Sequence, residues 1–144
     1  MSNIEESTGI TRRGALCALS LVGVGIFSSP EAATAATGVK VLSSGKVQVT
    51  LKSNPALKKV GGVVRIDDVQ GRSIALVRTS TKAYTAVNLL CTHQGGDLVQ
   101  TGNQWQCQEH QATFTLAGKN LVGPATTALK QLPVKATASM VTIG

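Results

Sequence analysis

Two cysteines and two histidines fall within one twenty-residue stretch, Cys91 and His93 in CTHQGG and Cys107 and His110 in CQEH. They are the only histidines of the chain, and they leave Cys17 as the only other cysteine. The spacing is C-x-H, then thirteen residues, then C-x-x-H. Each half offers a thiolate and an imidazole, and two such loops facing each other would form a four-ligand cage. Four chemistries compete. A Cys91–Cys107 disulfide suits an oxidising compartment but gives the histidines no task. A single zinc accepts this donor set tetrahedrally, although C-x-H is an unusual opening for a zinc knuckle. A Cys/His nucleophile and base would need only one of the two pairs. A 2Fe–2S cluster would use two cysteines on one iron and two histidines on the other. Spacing alone leaves zinc and iron–sulfur evenly matched.

The elements that must position these side chains read as short strands. KVQVTLK (46–52) alternates Val47, Val49 and Leu51 on one side, as a half-buried strand does. VVRIDDV (63–69), SIALVRTS (73–80) and AYTAVNLLC (83–91) read as a three-stranded meander with short links. QWQCQE (104–109), ATFTL (112–116), KNLVG (119–123), LPVKATA (132–138) and MVTIG (140–144) continue the pattern between Gly and Pro turns. Residues 37–45 read as a tether or a first short strand. No long 3.6-residue periodicity is present, which predicts an all-β, mainly antiparallel domain. A length of 144 residues allows one domain, and aromatic residues at 3% leave its core to Val, Leu, Ile and Ala. Basic residues are scattered and aromatics scarce, which excludes nucleic-acid binding as a first reading. Asp67 and Asp68 are adjacent in a strand and so point to opposite faces, as surface residues rather than an acid–base pair.

The first 35 residues read as a leader rather than as part of the fold. Arg12-Arg13 precedes the uncharged stretch GALCALSLVGVGIFSSP, and small residues including Ala33-Thr34-Ala35 follow. That order is an export signal, and the twin arginine with a weakly apolar middle resembles the Tat type. Ala15 stands where a bulky Phe is usual. The expected cut precedes Ala36, the alternative being an uncleaved anchor. Cleavage would remove Cys17, and the loss of two arginines with three glutamates would move the net charge from +7 to +8. The resulting organisation is a signal over 1–35, a short tether over 36–45 and a domain over 46–144. Export by the Tat route would place it in the periplasm or on the outer face of the cytoplasmic membrane.

The residues around the ligands separate the metal readings. CTHQGGDL, CQEH and the later GPA resemble the Rieske iron–sulfur family, whose pattern is C-T-H-x-G, C-x-x-H and a Gly-Pro-Ala turn over the cluster. The resemblance implies a Rieske-type β domain with a subdomain of two ligand loops plus a Gly-Pro loop. It implies one [2Fe–2S] cluster with Cys91 and Cys107 on the inner iron and His93 and His110 on the outer iron. Gly95 would turn the first loop, Gly123, Pro124 and Ala125 would form the shielding loop, and Leu129 fits beyond it. Trp105 falls where the family often has an aromatic, with core filling as the plain alternative. The implied work is one-electron transfer to a redox protein or a larger oxidoreductase subunit.

Departures from the family pattern refine these expectations. Respiratory members carry an extra cysteine in each ligand loop, where this chain has Gly96 and Glu109, so no loop-to-loop disulfide is possible. Cluster-free protein is therefore expected to be disordered from about Gly95 to Glu109. High-potential members carry Ser and Tyr donors where this chain has Ala112 and Phe114, so a low to intermediate potential is expected. Glu109, beside His110, is a candidate to lower it further. These features resemble the ferredoxin-like branch, while the leader resembles exported subunits of molybdenum oxidases. A subunit of a membrane quinol oxidase and a zinc-holding structural domain are the alternatives.

Overall fold

The computed structural model describes residues 34–144, so the twin arginine and Cys17 lie outside the described residues. The chain opens with β1 (Thr34–Ala35), β2 (Val39–Val41) and β3 (Val47–Thr50). Two single 3-10 turns follow, Leu51–Ser53 and Pro55–Lys58, the second started by Pro55 at its first position. β4 (Val63–Val69), β5 (Arg72–Arg78) and β6 (Tyr84–Asn88) come next, then β7 (Leu98–Thr101), β8 (Gln104–Cys107), β9 (Thr113–Thr115) and β10 (Asn120–Val122). β11 (Gln131–Leu132), β12 (Val134–Ala136) and β13 (Met140–Ile143) complete the order. The all-β architecture expected from the sequence is the one observed.

The strands form three sheets. A central sheet has the order β1-β4-β5-β6-β11, a site-bearing sheet β10-β9-β8-β7, and a basal sheet β12-β13-β3-β2. All pairings are antiparallel except β1 with β4. The meander β4-β5-β6 is the middle layer, buried on both sides. Val63, Ala75, Val77, Val87 and Leu89 join one apolar cluster with Leu98, Trp105 and Phe114 of the site-bearing half. Val64, Ile66, Ile74, Leu76 and Ala86 join a second cluster with Val47, Val49, Val141 and Ile143 of the basal sheet. Successive side chains leave a strand on opposite faces, so a strand between two layers must be apolar at every position. This is why Ile74-Ala75-Leu76-Val77 is an unbroken apolar run in which all four residues are buried.

Two sequence readings gain detail. Residues 36–45 contain β2, which pairs with β3, and Thr37 is tied to buried Asn54, whose Oδ1 accepts from the Thr37 N–H at 3.0 Å. The alternation assumed for Asp67 and Asp68 is broken, because the β4–β5 register shifts between Ile66 and Val69 and Asp68 has φ 58°. Both carboxylates stay exposed, but Asp67 is engaged. It accepts from Arg65 Nε at 2.7 Å and from Ser73 Oγ at 2.7 Å. The Arg65 guanidinium, and then the Ser73 hydroxyl, hold the Asp67 carboxyl below the usual carboxylate range.

Candidate metal centre

The site lies where the site-bearing sheet meets the end of β6. Its two loops share one backbone design, displaced by sixteen residues along the chain. In the first, the Cys91 N–H donates to the Gly96 carbonyl at 2.8 Å and the Cys91 carbonyl accepts from Gly95 N–H at 2.9 Å. In the second, the Cys107 N–H donates to the Ala112 carbonyl at 2.8 Å and the Cys107 carbonyl accepts from Gln111 N–H at 3.0 Å. The fourth residue after each cysteine has a left-handed backbone, Gly95 at φ 78° and Gln111 at φ 62°. A strand-like pair closes each loop: the Leu90–Asp97 bridge closes the first, and Gln106 opposite Thr113 closes the second. Sequence reading found Gly95 but missed Gln111, because a glutamine gives no sign of positive φ. The sign available was the shared spacing of four from each cysteine.

The loops put thiols inside and imidazoles outside. Cys91 and Cys107 are both buried and neither is in a disulfide. Burial pushes the Cys91 thiol up, and the adjacent Cys107 sulfur adds to this against backbone donors from His93 and Gln94. His93 and His110 are exposed, their rings edge to face with centroids 4.7 Å apart and planes at 82°. Among the described residues no three His, Cys, Asp or Glu side chains converge on one ion-sized point. The arrangement is two pairs, thiol beside thiol and imidazole beside imidazole. That division matches the two-thiolate and two-imidazole ligand sets of a 2Fe–2S group.

The supporting residues are packed around this core. A Cβ at Gly96 would stand 3.1 Å from Cys107 Sγ and 3.0 Å from Glu109 Oε2, so Gly96 and Glu109 face each other across the loops. Glu109 Oε2 is 3.9 Å from His110 Nδ1, beyond hydrogen-bond distance, and its side chain is exposed. Ala112 and Phe114 are fully buried, and neither has a hydroxyl to offer a sulfur. Trp105 is core: it is fully buried and its Nε1–H donates to the Leu116 carbonyl at 3.1 Å. In the third loop, Gly123-Pro124 is a cis peptide and Ala125 is buried. Asn120 Nδ2 donates to the Ala125 carbonyl at 2.9 Å, and Leu129 is buried beyond it. Thr92 Oγ1 donates to the Thr127 carbonyl at 2.8 Å and so ties this loop to the first ligand loop. Arg65 was not singled out in the sequence. Its Nη1 donates to the Leu98 carbonyl at 2.6 Å and its Nη2 to Asp97 Oδ2 at 2.9 Å, fastening the first loop to the central sheet.

The Rieske [2Fe-2S] domain model matches residues 47–133. This chain belongs to the Rieske [2Fe–2S] domain family and carries one [2Fe–2S] cluster. Among solved structures it is similar to the plasma membrane Rieske protein PetC3 of Synechocystis PCC 6803, at 24% identity and TM-score 0.51. That match covers 60% of this chain and 90% of PetC3. It is also similar to the quaternary ammonium Rieske monooxygenase CntA bound to L-carnitine, at 21% identity and TM-score 0.53, covering 63% of this chain and 30% of CntA. No curated protein matches.

Proposed function

We propose that Cys91 and Cys107 hold the inner iron as thiolates and that His93 and His110 hold the outer iron through ring nitrogens. The observation that carries this is the division into a buried thiol pair and an exposed imidazole pair on two loops of one design. The cluster supplies a one-electron couple. The chain's own residues do the rest. The cysteines keep one side of the group in the apolar core, and the paired imidazole edges form the exit toward a partner. The reading is of an exported electron carrier, or the redox subunit of a larger oxidoreductase, sent out by the Tat route. The leader-like order of Arg12-Arg13, the uncharged stretch and the small residues supports export.

Ala112 and Phe114 support a low to intermediate potential within the roughly −150 to +300 mV Rieske range. Hydrogen bonds to sulfur stabilise the reduced state, and these two buried side chains offer none. The test is an EPR spectrum of anaerobically reduced protein, with iron, sulfide and zinc assayed on the same sample. A rhombic signal of low average g-value with equal iron and sulfide supports the assignment. Zinc with no sulfide refutes it. His93→Cys should shift that signal, and redox titration of Ala112→Ser and Phe114→Tyr should show raised potentials.

A further inference from the structure

Charge is divided unevenly between the layers. The described carboxylate side chains are Asp67, Asp68, Asp97 and Glu109. None lies in the basal sheet, whose strands come from residues 39–50 and 134–143. The inner face of that sheet is Val47, Val49, Val141 and Ile143. Its outer face follows from the register. Lys40 lies opposite Gln48, Gln48 opposite Thr142, and Thr142 opposite Lys135, one row across all four strands. The two end lysines are about 14 Å apart across three strand spacings. Lys46 is two residues from Gln48 and shares its face. At the edge of this sheet a groove of about 670 Å³ carries Lys52, Lys58 and Lys82, with Tyr84, Thr137 and Ser139. Among the described residues no lysine is in an ion pair.

We propose that this outer basal face docks on an anionic membrane surface. An outer face that carries Lys40, Lys46 and Lys135, none of them ion-paired, flanked by a groove with three more lysines, is complementary to lipid phosphates. The described chain enters the fold through β1, which pairs with β4 at an edge of the central sheet, so the support for the basal face is its charge. Among the described residues no helix is long and apolar enough to cross a membrane, so the folded part would meet lipid through its surface. Docking there leaves His93 and His110 on the far side of the central sheet, open to a partner. The inference concerns surface charge and stands or falls apart from the iron assignment.

The experiment is co-sedimentation of the full, cluster-loaded chain with vesicles of pure phosphatidylcholine and of equal parts phosphatidylglycerol and phosphatidylcholine. The ratio of the two partition coefficients cancels whatever the apolar N-terminal stretch contributes. Each lysine near an anionic surface is worth about fivefold in partition. The triple variant Lys40→Gln, Lys46→Gln, Lys135→Gln should therefore lower the ratio on the order of a hundredfold. Arg72→Gln, Lys119→Gln, Lys130→Gln removes the same charge elsewhere and should change the ratio less than about fivefold. Visible absorbance confirms an intact cluster in both. Equal losses from the two triples would overturn the proposal in favour of net charge. A wild-type chain without preference for anionic vesicles would also overturn it, leaving the lysine face to an acidic protein partner.

Discussion

Gly95 and Gly96 are neighbours in the first ligand loop, yet alanine at each should fail for a different reason. Gly95 has φ 78°, and a Cβ there meets nothing within 4 Å. Its penalty is confined to the backbone, about 1–2 kcal/mol for a side chain in the left-handed region. A domain of this size loses about 5 °C of Tm per kcal/mol, so Gly95→Ala should melt about 5–10 °C lower. Its sulfur positions are untouched and it should reconstitute with nearly full iron. Gly96 has no such backbone constraint, but its Cβ would approach Cys107 Sγ to 3.1 Å. The exposed Glu109 can swing aside; the sulfur, held in the core by Cys107's two loop bonds, cannot. Overpacking of this kind costs about 1–3 kcal/mol, and here it acts on a proposed iron ligand. Gly96→Ala should therefore lose iron on reconstitution out of proportion to its change in Tm. The assays are iron and sulfide per chain, and thermal melts with and without cluster. If Gly96→Ala keeps its iron while Gly95→Ala loses it, the packing argument is wrong.

Three further outcomes follow from the same geometry. Trp105→Phe removes the donor to the Leu116 carbonyl inside the core and should cost about 1–3 kcal/mol in chemical denaturation. Asp67 has a depressed folded pKa, so its contribution is present above the ordinary carboxylate pKa and fades as pH falls through the lower folded value. Arg65→Met should flatten that part of the acid unfolding curve and also loosen the first ligand loop; an unchanged curve would show that the Arg65 pair does not matter. The expected disorder from about Gly95 to Glu109 narrows, because β7 and β8 lie inside that range: limited proteolysis of cluster-free protein should cut within residues 92–95 and 108–111 and spare both strands. Those two strands place Leu98, Trp105 and Cys107 in the apolar core.

Much of this architecture was legible because the strands alternate or run apolar between clear turns. VVRIDDV coincides with β4, and the meander through β5 and β6 has the expected sequence neighbours in its sheet. The three-layer stacking was not legible, since an unbroken apolar run shows burial on both faces without showing what covers each. β7 was missed because only Leu98 of its four residues is buried, which leaves no alternation to see. Its remaining sign was Gly102-Asn103, a turn joining Thr101 to Gln104. β11 is two residues long and owes its existence to an edge of β6. At the site, type and spacing singled out the four candidate ligands, and the family resemblance implied inner thiols and outer imidazoles. The packing that buries the thiols was not readable, since it depends on β8 and the end of β6 meeting Trp105 and Phe114. Arg65 was invisible for a related reason: its partners Asp97 and Leu98 are more than thirty residues away in sequence.

The layers also differ in how soon a growing chain can finish them. The central meander, the ligand loops and the Gly-Pro loop come from one continuous stretch, residues 63–132. The basal sheet instead joins β3 to β13, setting Val47 against Ile143. The basal sheet therefore cannot close until β13 is present. Pairings between distant segments are the slow ones, so this last seam sets the pace of folding. The loop-bearing half thus depends on neighbours in sequence, whereas the scaffold behind it depends on residues as far apart as Val47 and Ile143.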